Sequence, residues 1–88
     1  MEDKVKGLLD GKLNELNMTV DSVKLEKEGS QTFLRICLDS ESVIDLDKVV
    51  LATKIIDPII DSADLINEQY ILEVYGKSKG SNLDEKKN

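Results

Sequence analysis

The sequence predicts an α+β fold, a two-layer domain in which two helices pack on one face of a three-stranded sheet in the order α-β-β-α-β. Three observations predict it. Phe33-Leu34-Arg35-Ile36-Cys37-Leu38-Asp39 and Tyr70-Ile71-Leu72-Glu73-Val74 each alternate their side chains as half-buried strands do. The interval of roughly thirty residues between them carries apolar residues at helical spacing. Glu28-Gly29-Ser30-Gln31 supplies turn chemistry ahead of the first of these runs, so a strand precedes it as a hairpin partner.

Each element follows from its own residues. Val5, Leu8, Leu9, Leu13 and Leu16 recur at helical spacing behind Glu2 and Asp3, which suit the positive end of a helix, and this first helix is expected to stop near Asn17. Val20, Val23 and Leu25 begin the first strand. In the second strand, Thr32 to Asp39, alternation places Leu34, Ile36 and Leu38 toward the core and Phe33, Arg35 and Cys37 on the other face. Asp45 or Asp47 caps the second helix, whose Leu46, Val49, Ala52, Thr53, Ile56, Ile59 and Ile60 form the stripe toward the sheet.

Pro58 falls inside that stripe. It removes a backbone donor, so a kink or a new turn is expected there, with Asp61-Ser62-Ala63-Asp64 as the connection to the last strand. Tyr70, Leu72 and Val74 are expected on the buried side of that strand. The domain is read as residues 1–75. Residues 76–88, with Leu83 as the one large apolar residue, are read as a flexible polar tail that cannot repay its ordering entropy.

Composition narrows the function. An 88-residue chain fits one domain with one small core. Twelve basic and eighteen acidic residues leave a net charge of −6, which repels phosphate and favours basic partners. Phe33, Tyr70 and Tyr75 are its only aromatic residues, too few for the stacking platforms that grip single-stranded nucleic acid, so direct RNA binding is disfavoured. The charged amino terminus carries neither a signal peptide nor a membrane span, and a cytoplasmic location is expected. Cys37 is the only cysteine and there is no histidine, which excludes an internal disulfide and leaves Cys37 as a small strand residue.

Chemical motifs fail on their spacing. Gly76-Lys77-Ser78 resembles the end of a phosphate-binding loop, but Ile71 stands where that loop needs another glycine. Gly76 to Gly80 follows a strand rather than joining two helices, as the glycine loop of a KH domain does. The acids Asp39, Glu41, Asp45 and Asp47 suggest calcium ligation, yet an EF-hand loop starting at Asp39 needs glycine where Ile44 stands, and a helix cap with a solvated loop accounts for them. Paired carboxylates running acid and base chemistry need a cleft that so small a two-layer domain has little room to form. These acids, with Asp57, Asp61 and Asp64, are instead suited to meet lysines and arginines of a partner.

Several segments together resemble the amino-terminal domain of the bacterial ribosome maturation factor RimP family. They are Lys27-Glu28-Gly29 at the hairpin, Phe33-Leu34-Arg35-Ile36 leading to Asp39, Ile44-Asp45-Leu46-Asp47 opening the second helix, Asp64-Leu65-Ile66, and Tyr70-Ile71-Leu72-Glu73-Val74, in that order and with near-gapless spacing. The resemblance covers most of residues 1–75. It implies a domain that works beside an Sm-like barrel in assembling the small ribosomal subunit, partly by contacting a basic ribosomal protein, with no enzymatic activity and no cofactor. Family members usually continue with a Ser-Ser-Pro-Gly segment and an Arg-Pro pair, whereas this chain reads Tyr75-Gly76-Lys77-Ser78-Lys79-Gly80.

The leading expectation is therefore a non-catalytic protein-binding domain. Phe33, Arg35, Asp39, Asp45 and Asp47 are the candidate partner contacts, the first two because an aromatic beside an arginine is typical of interface anchors. Leu51 and Ile55, one turn apart among Lys48 and Lys54, point away from the core stripe and are the candidate contact of a homodimer. The alternatives are a small homo-oligomeric module using the second helix or a sheet edge, and third a KH-like RNA-binding domain, which the charge opposes.

Overall fold

The computed structural model describes residues 1–77. Helix α1 (Glu2–Leu9) is followed by a short 3-10 turn (Asn14–Leu16), strands β1 (Met18–Glu28) and β2 (Gln31–Ser40), helix α2 (Leu46–Ala63) and strand β3 (Ile71–Gly76). The sheet order is β1-β2-β3, with β1 and β2 antiparallel and β2 and β3 parallel. This is the expected α-β-β-α-β succession. Its parallel pair uses the helical crossover that such pairing needs, α2 carrying the chain back along the sheet so that β3 starts at the same end as β2.

Strand β2 sits in the middle and supplies the centre of the core. Leu34, Ile36 and Leu38 are fully buried on the helix side, where they meet Val5, Leu9 and Leu13 from the amino-terminal segment and Ala52, Ile56 and Ile60 from α2. Fully burying a side chain of this size contributes about 1.5–3 kcal/mol, so these residues dominate the stability of the domain. Gly29, at φ +63°, and Ser30 form the two-residue hairpin connection that pairs Glu28 with Gln31. A glycine is suited to the first central position of such a turn because that position takes a positive φ.

A β-bulge reconciles the pattern of β1 with its packing. Val20 and Val23 are three residues apart, yet both contribute to the core, because Asp21 is an extra residue between the pairs Val20 with Leu38 and Ser22 with Cys37. On β3, Leu72 and Val74 turn toward the core while Ile71 and Tyr75 face out. Tyr70 packs against the core from just before the strand.

Four expectations need correcting. Helix α1 stops at Leu9 rather than near Asn17, because Asp10 is extended and Gly11 takes φ +77°. Leu13 reaches the core from the turn that follows, which mimics helical spacing without the helix. Leu46 is 75% exposed, since its place at the start of α2 turns it to a flank shared with Val50 rather than to the sheet. Helix α2 runs without interruption through Pro58, and Asp61 to Ala63 remain helical. Pro58 and Lys54, whose carbonyl loses the i+4 donor, both lie on the exposed side, where water can satisfy the freed group.

Asp64, at φ 51°, ends the helix with its N–H donated to the Ile60 carbonyl, so the connection to β3 is residues 64–70. The ladder also extends past Tyr75. Gly76 belongs to β3 and the Lys77 N–H donates to the Leu38 carbonyl at 2.7 Å. The flexible-tail reading of residues 78–88 lies outside the described residues.

These placements separate core from surface in a measurable way. Ile56→Ala should lower unfolding free energy by about 2–5 kcal/mol, the cost of a cavity in a closed core. Leu46→Ala should change it by less than about 0.5 kcal/mol, as expected for an exposed side chain away from special features. Urea unfolding followed by circular dichroism gives both values, and a large loss for Leu46→Ala would contradict its exposed position.

Candidate interaction surface

The face of the sheet opposite the helices is organised by Arg35. Alternation of the three strands places Lys24 and Glu26 of β1, Phe33 and Arg35 of β2, and Ile71, Glu73 and Tyr75 of β3 on this side. The register aligns Arg35 with Lys24 on one neighbour and Glu73 on the other. The guanidinium lies over the Phe33 ring, 4.5 Å from its centroid, and donates to three carboxylates. Nε bonds Glu73 at 2.7 Å, and Nη1 bonds both Glu26 and Glu28 at 2.8 Å.

This arrangement ties all three strands together through one cation. Only 22% of the Arg35 side chain is exposed, whereas Glu26, Glu28 and Glu73 are 44–57% exposed. Hydrogen bonds to Glu28, then Glu26 and Glu73, push the guanidinium further above its usual range and keep it charged. In return, hydrogen bonding and the charge of Arg35 hold the Glu28 carboxyl below the usual carboxylate range. Three acids around one base leave an anionic surface whose carboxylates have fixed positions. Exposed Ile71 and Tyr75 lie on the same face.

Beside this cluster a second set of contacts anchors the segment before β3. The Thr32 hydroxyl donates to Glu68 at 2.7 Å, and Lys27 pairs with the same carboxylate at 3.4 Å. These two contacts hold Glu68 below its ordinary pKa, the hydroxyl having the larger effect. At the other end, Lys77 bonds Asp21 at 3.3 Å, and this contact pushes the lysine pKa up. Cys37 lies between them on β2. Burial, then the charge of Asp21, pushes its thiol pKa up, which disfavours the reactive thiolate.

The structure distributes the remaining candidates over other surfaces. Asp39 stays on the outer face of β2, where it accepts a hydrogen bond from the Ser40 N–H at 2.8 Å. Asp45 is the cap of α2 and accepts from the Lys48 N–H at 2.9 Å, while Asp47 is exposed in the first turn. Phe33 and Arg35 are thus brought together, but Asp45 and Asp47 lie at the amino end of α2 on the helix side. Leu51 is exposed, whereas Ile55 packs partly against the core on the flank it shares with Ile59. On the same flank Ile59 lines an open depression with Leu8 of α1.

Sequence reasoning missed Glu26, Glu28 and Glu73 as partners of Arg35. The first two were accessible from the hairpin register once Gly29-Ser30 is taken as a two-residue turn. Glu73 depends on the parallel register across a helical crossover, which no local signal fixes. Among the described residues no group of three or more histidine, cysteine, aspartate or glutamate side chains is arranged to hold a metal ion. No helix of the described residues is long and apolar enough to cross a membrane.

Fold and surface together define an open-faced α+β domain that presents a clamped carboxylate array. A family model for the RimP N-terminal domain matches residues 8–78. The chain belongs to that family, a family of ribosome maturation factors.

The carboxylate array makes stability depend on pH with a definite sign. Glu28 and Glu68 have folded-state pKa values below their ordinary value of 4.5, so the unfolded chain binds protons first as pH falls. Their contribution is fully present above that ordinary value and is lost as pH drops through the lower folded values. The thermal midpoint should therefore be level from neutral pH to about pH 5 and fall below it. Arg35→Met should lower the midpoint at neutral pH and flatten this acid limb, because Glu28 then loses the partner that holds its carboxyl below the ordinary range. An unchanged acid limb in the variant would show that Arg35 does not set the titration.

Proposed function

We propose that this chain is a non-catalytic protein-binding domain that acts in maturation of the small ribosomal subunit in the cytoplasm, contacting a basic ribosomal protein. The observation that carries the reading is the array of Glu26, Glu28 and Glu73 held in place by Arg35 beside exposed apolar residues. Family membership supports the ribosomal setting, and the net charge of −6 supports a basic protein over bare RNA. Arg35 is engaged by its own chain, so in this reading it orients the acids that meet lysines and arginines of the partner, and Phe33 supports it from below. Asp39, Asp45 and Asp47 extend the acidic surface around the end of β2 and the start of α2.

Co-sedimentation of the full chain with purified small ribosomal subunits tests the proposal. Binding is expected, and it should weaken as salt rises because the contacts are exposed charges. Glu26→Lys with Glu28→Lys should reduce retention about tenfold while leaving the Arg35–Glu73 pair intact. Asp39→Asn, Asp45→Asn and Asp47→Asn together should lower the salt dependence, and asparagine at position 45 keeps a competent helix cap. Absence of co-sedimentation, or binding indifferent to salt and to both sets of substitutions, would end the reading. A homodimer through Leu51 would instead appear as a concentration-dependent sedimentation coefficient abolished by Leu51→Glu.

A further inference from the structure

The two edges of the sheet are finished differently. On β1 the Leu25 N–H points outward and donates to the Glu2 carboxylate at 2.8 Å, while Lys6 Nζ donates to the Asp21 carbonyl at 3.3 Å. Charged side chains of α1 and the bulge at Asp21 thus close that edge to further pairing. On β3 the Lys77 N–H is donated inward to Leu38, and alternation along the strand then turns the N–H and C=O groups of Leu72, Val74 and Gly76 outward. Among the described residues no further strand pairs with them.

A stripe of α2 runs alongside this open edge. Leu46, Val50, Thr53, Asp57 and Asp61 recur at helical spacing, and Asp57 and Asp61 line an open depression with Tyr70 and Leu72. Burial, then the charges of Asp57 and Asp61, pushes the Tyr70 hydroxyl pKa up, which agrees with their proximity. The helix starts at the other end of the strand, where Ile44 packs so closely on Gly76 that an added Cβ would lie 3.0 Å from it. There Val43, Leu46 and Val50 are 74%, 75% and 45% exposed. The α2 stripe beside β3 is therefore acidic near Tyr70 and apolar toward its amino end, and this graded wall frames a groove with the strand edge.

We propose that the β3 edge, with the α2 stripe beside it, receives an extended segment of a protein partner as a fourth strand, basic where it passes Asp57 and Asp61 and apolar where it passes Leu46 and Val50. This inference rests on the reading of a basic protein partner and adds to the carboxylate face a second surface, with its mode of docking. Main-chain hydrogen bonds to Leu72, Val74 and Gly76 hold the segment, and the graded wall of the groove selects its side chains. A second copy of this chain fits poorly. Antiparallel pairing of two β3 strands would set the acidic end of one groove against the apolar end of the other.

The test uses the full chain, isotopically labelled, with synthetic peptides carrying arginines in one half and valines in the other, in both orders. A control peptide has glutamate in place of every arginine. One basic peptide should slow amide exchange at Leu72, Val74 and Gly76 by about tenfold or more, and the acidic control should not. Asp57→Lys with Asp61→Lys, both exposed, should weaken that peptide about tenfold without altering the fold. Val74→Pro should abolish binding, since it removes an outward donor that the ladder does not use. Unchanged exchange at these three amides with either basic peptide would overturn the inference. So would equal binding by the Asp57→Lys, Asp61→Lys variant. Co-sedimentation with small subunits separates the two proposals: retention with an unprotected edge sinks only the docking mode, and a protected edge without retention sinks only the ribosomal assignment.

Discussion

Strand β2 is the constraint on which the rest of this structure depends. Both of its edges are used, one by the antiparallel β1 and the other by the parallel β3, so its backbone polar groups are satisfied within the sheet. Its helix-side residues Leu34, Ile36 and Leu38 are sealed, and slipping the strand by one residue would bring Arg35 into the core in their place. That penalty fixes the register. Once the register is fixed, the other face of β2 has no freedom either, and Phe33, Arg35 and Cys37 must line up across from Glu26, Glu73 and Tyr75.

The outer face is the electrostatic consequence of that register. Three carboxylates drawn to one sheet face would repel one another if left alone, and Arg35 holds them by standing over Phe33, where its stem is shielded and its guanidinium planar fork remains usable. Individual pairs with half-exposed acids add little to folding, because water and salt screen them. Their larger consequence is positional. An acid held by a half-buried neighbour has less rotamer freedom to lose when a partner arrives, which lowers the entropy cost of meeting a cation.

The succession of elements was legible in the sequence because it rests on local signals. Gly29 announced the hairpin, alternation announced β2 and β3, and Asp45 announced the start of α2. Errors arose where a local pattern had two structural solutions. Leu9 and Leu13 keep helical spacing, but a glycine turn after Asp10 delivers Leu13 to the same core. Pro58 looked like a break, yet a proline on the solvent side of a long amphipathic helix costs less than losing the packing of Ile56, Ile59 and Ile60 on either side of it. The candidate site was half legible. Alternation set Phe33 and Arg35 together on the outer face and their chemistry singled them out, whereas Glu73 was beyond reach because parallel pairing is decided by how α2 lies across the sheet.

An open strand edge is ordinarily a hazard, and this domain tolerates one only because of the charge around it. Domains protect edges with lysines, bulges or a covering element, and β1 uses a bulge together with Glu2 and Lys6 of α1. Among the described residues none of these covers β3 along Leu72, Val74 and Gly76, yet Asp57, Asp61 and Glu68 line the depression at its start. Antiparallel pairing of a second copy would set these acids against the apolar Leu46 and Val50 end, which disfavours it, while the acidic end stays accessible to a cation. The acidic surplus of the sequence and the open edge therefore belong to one arrangement: the mismatch of acidic and apolar ends disfavours self-pairing, and the acidic field selects which foreign strand can approach.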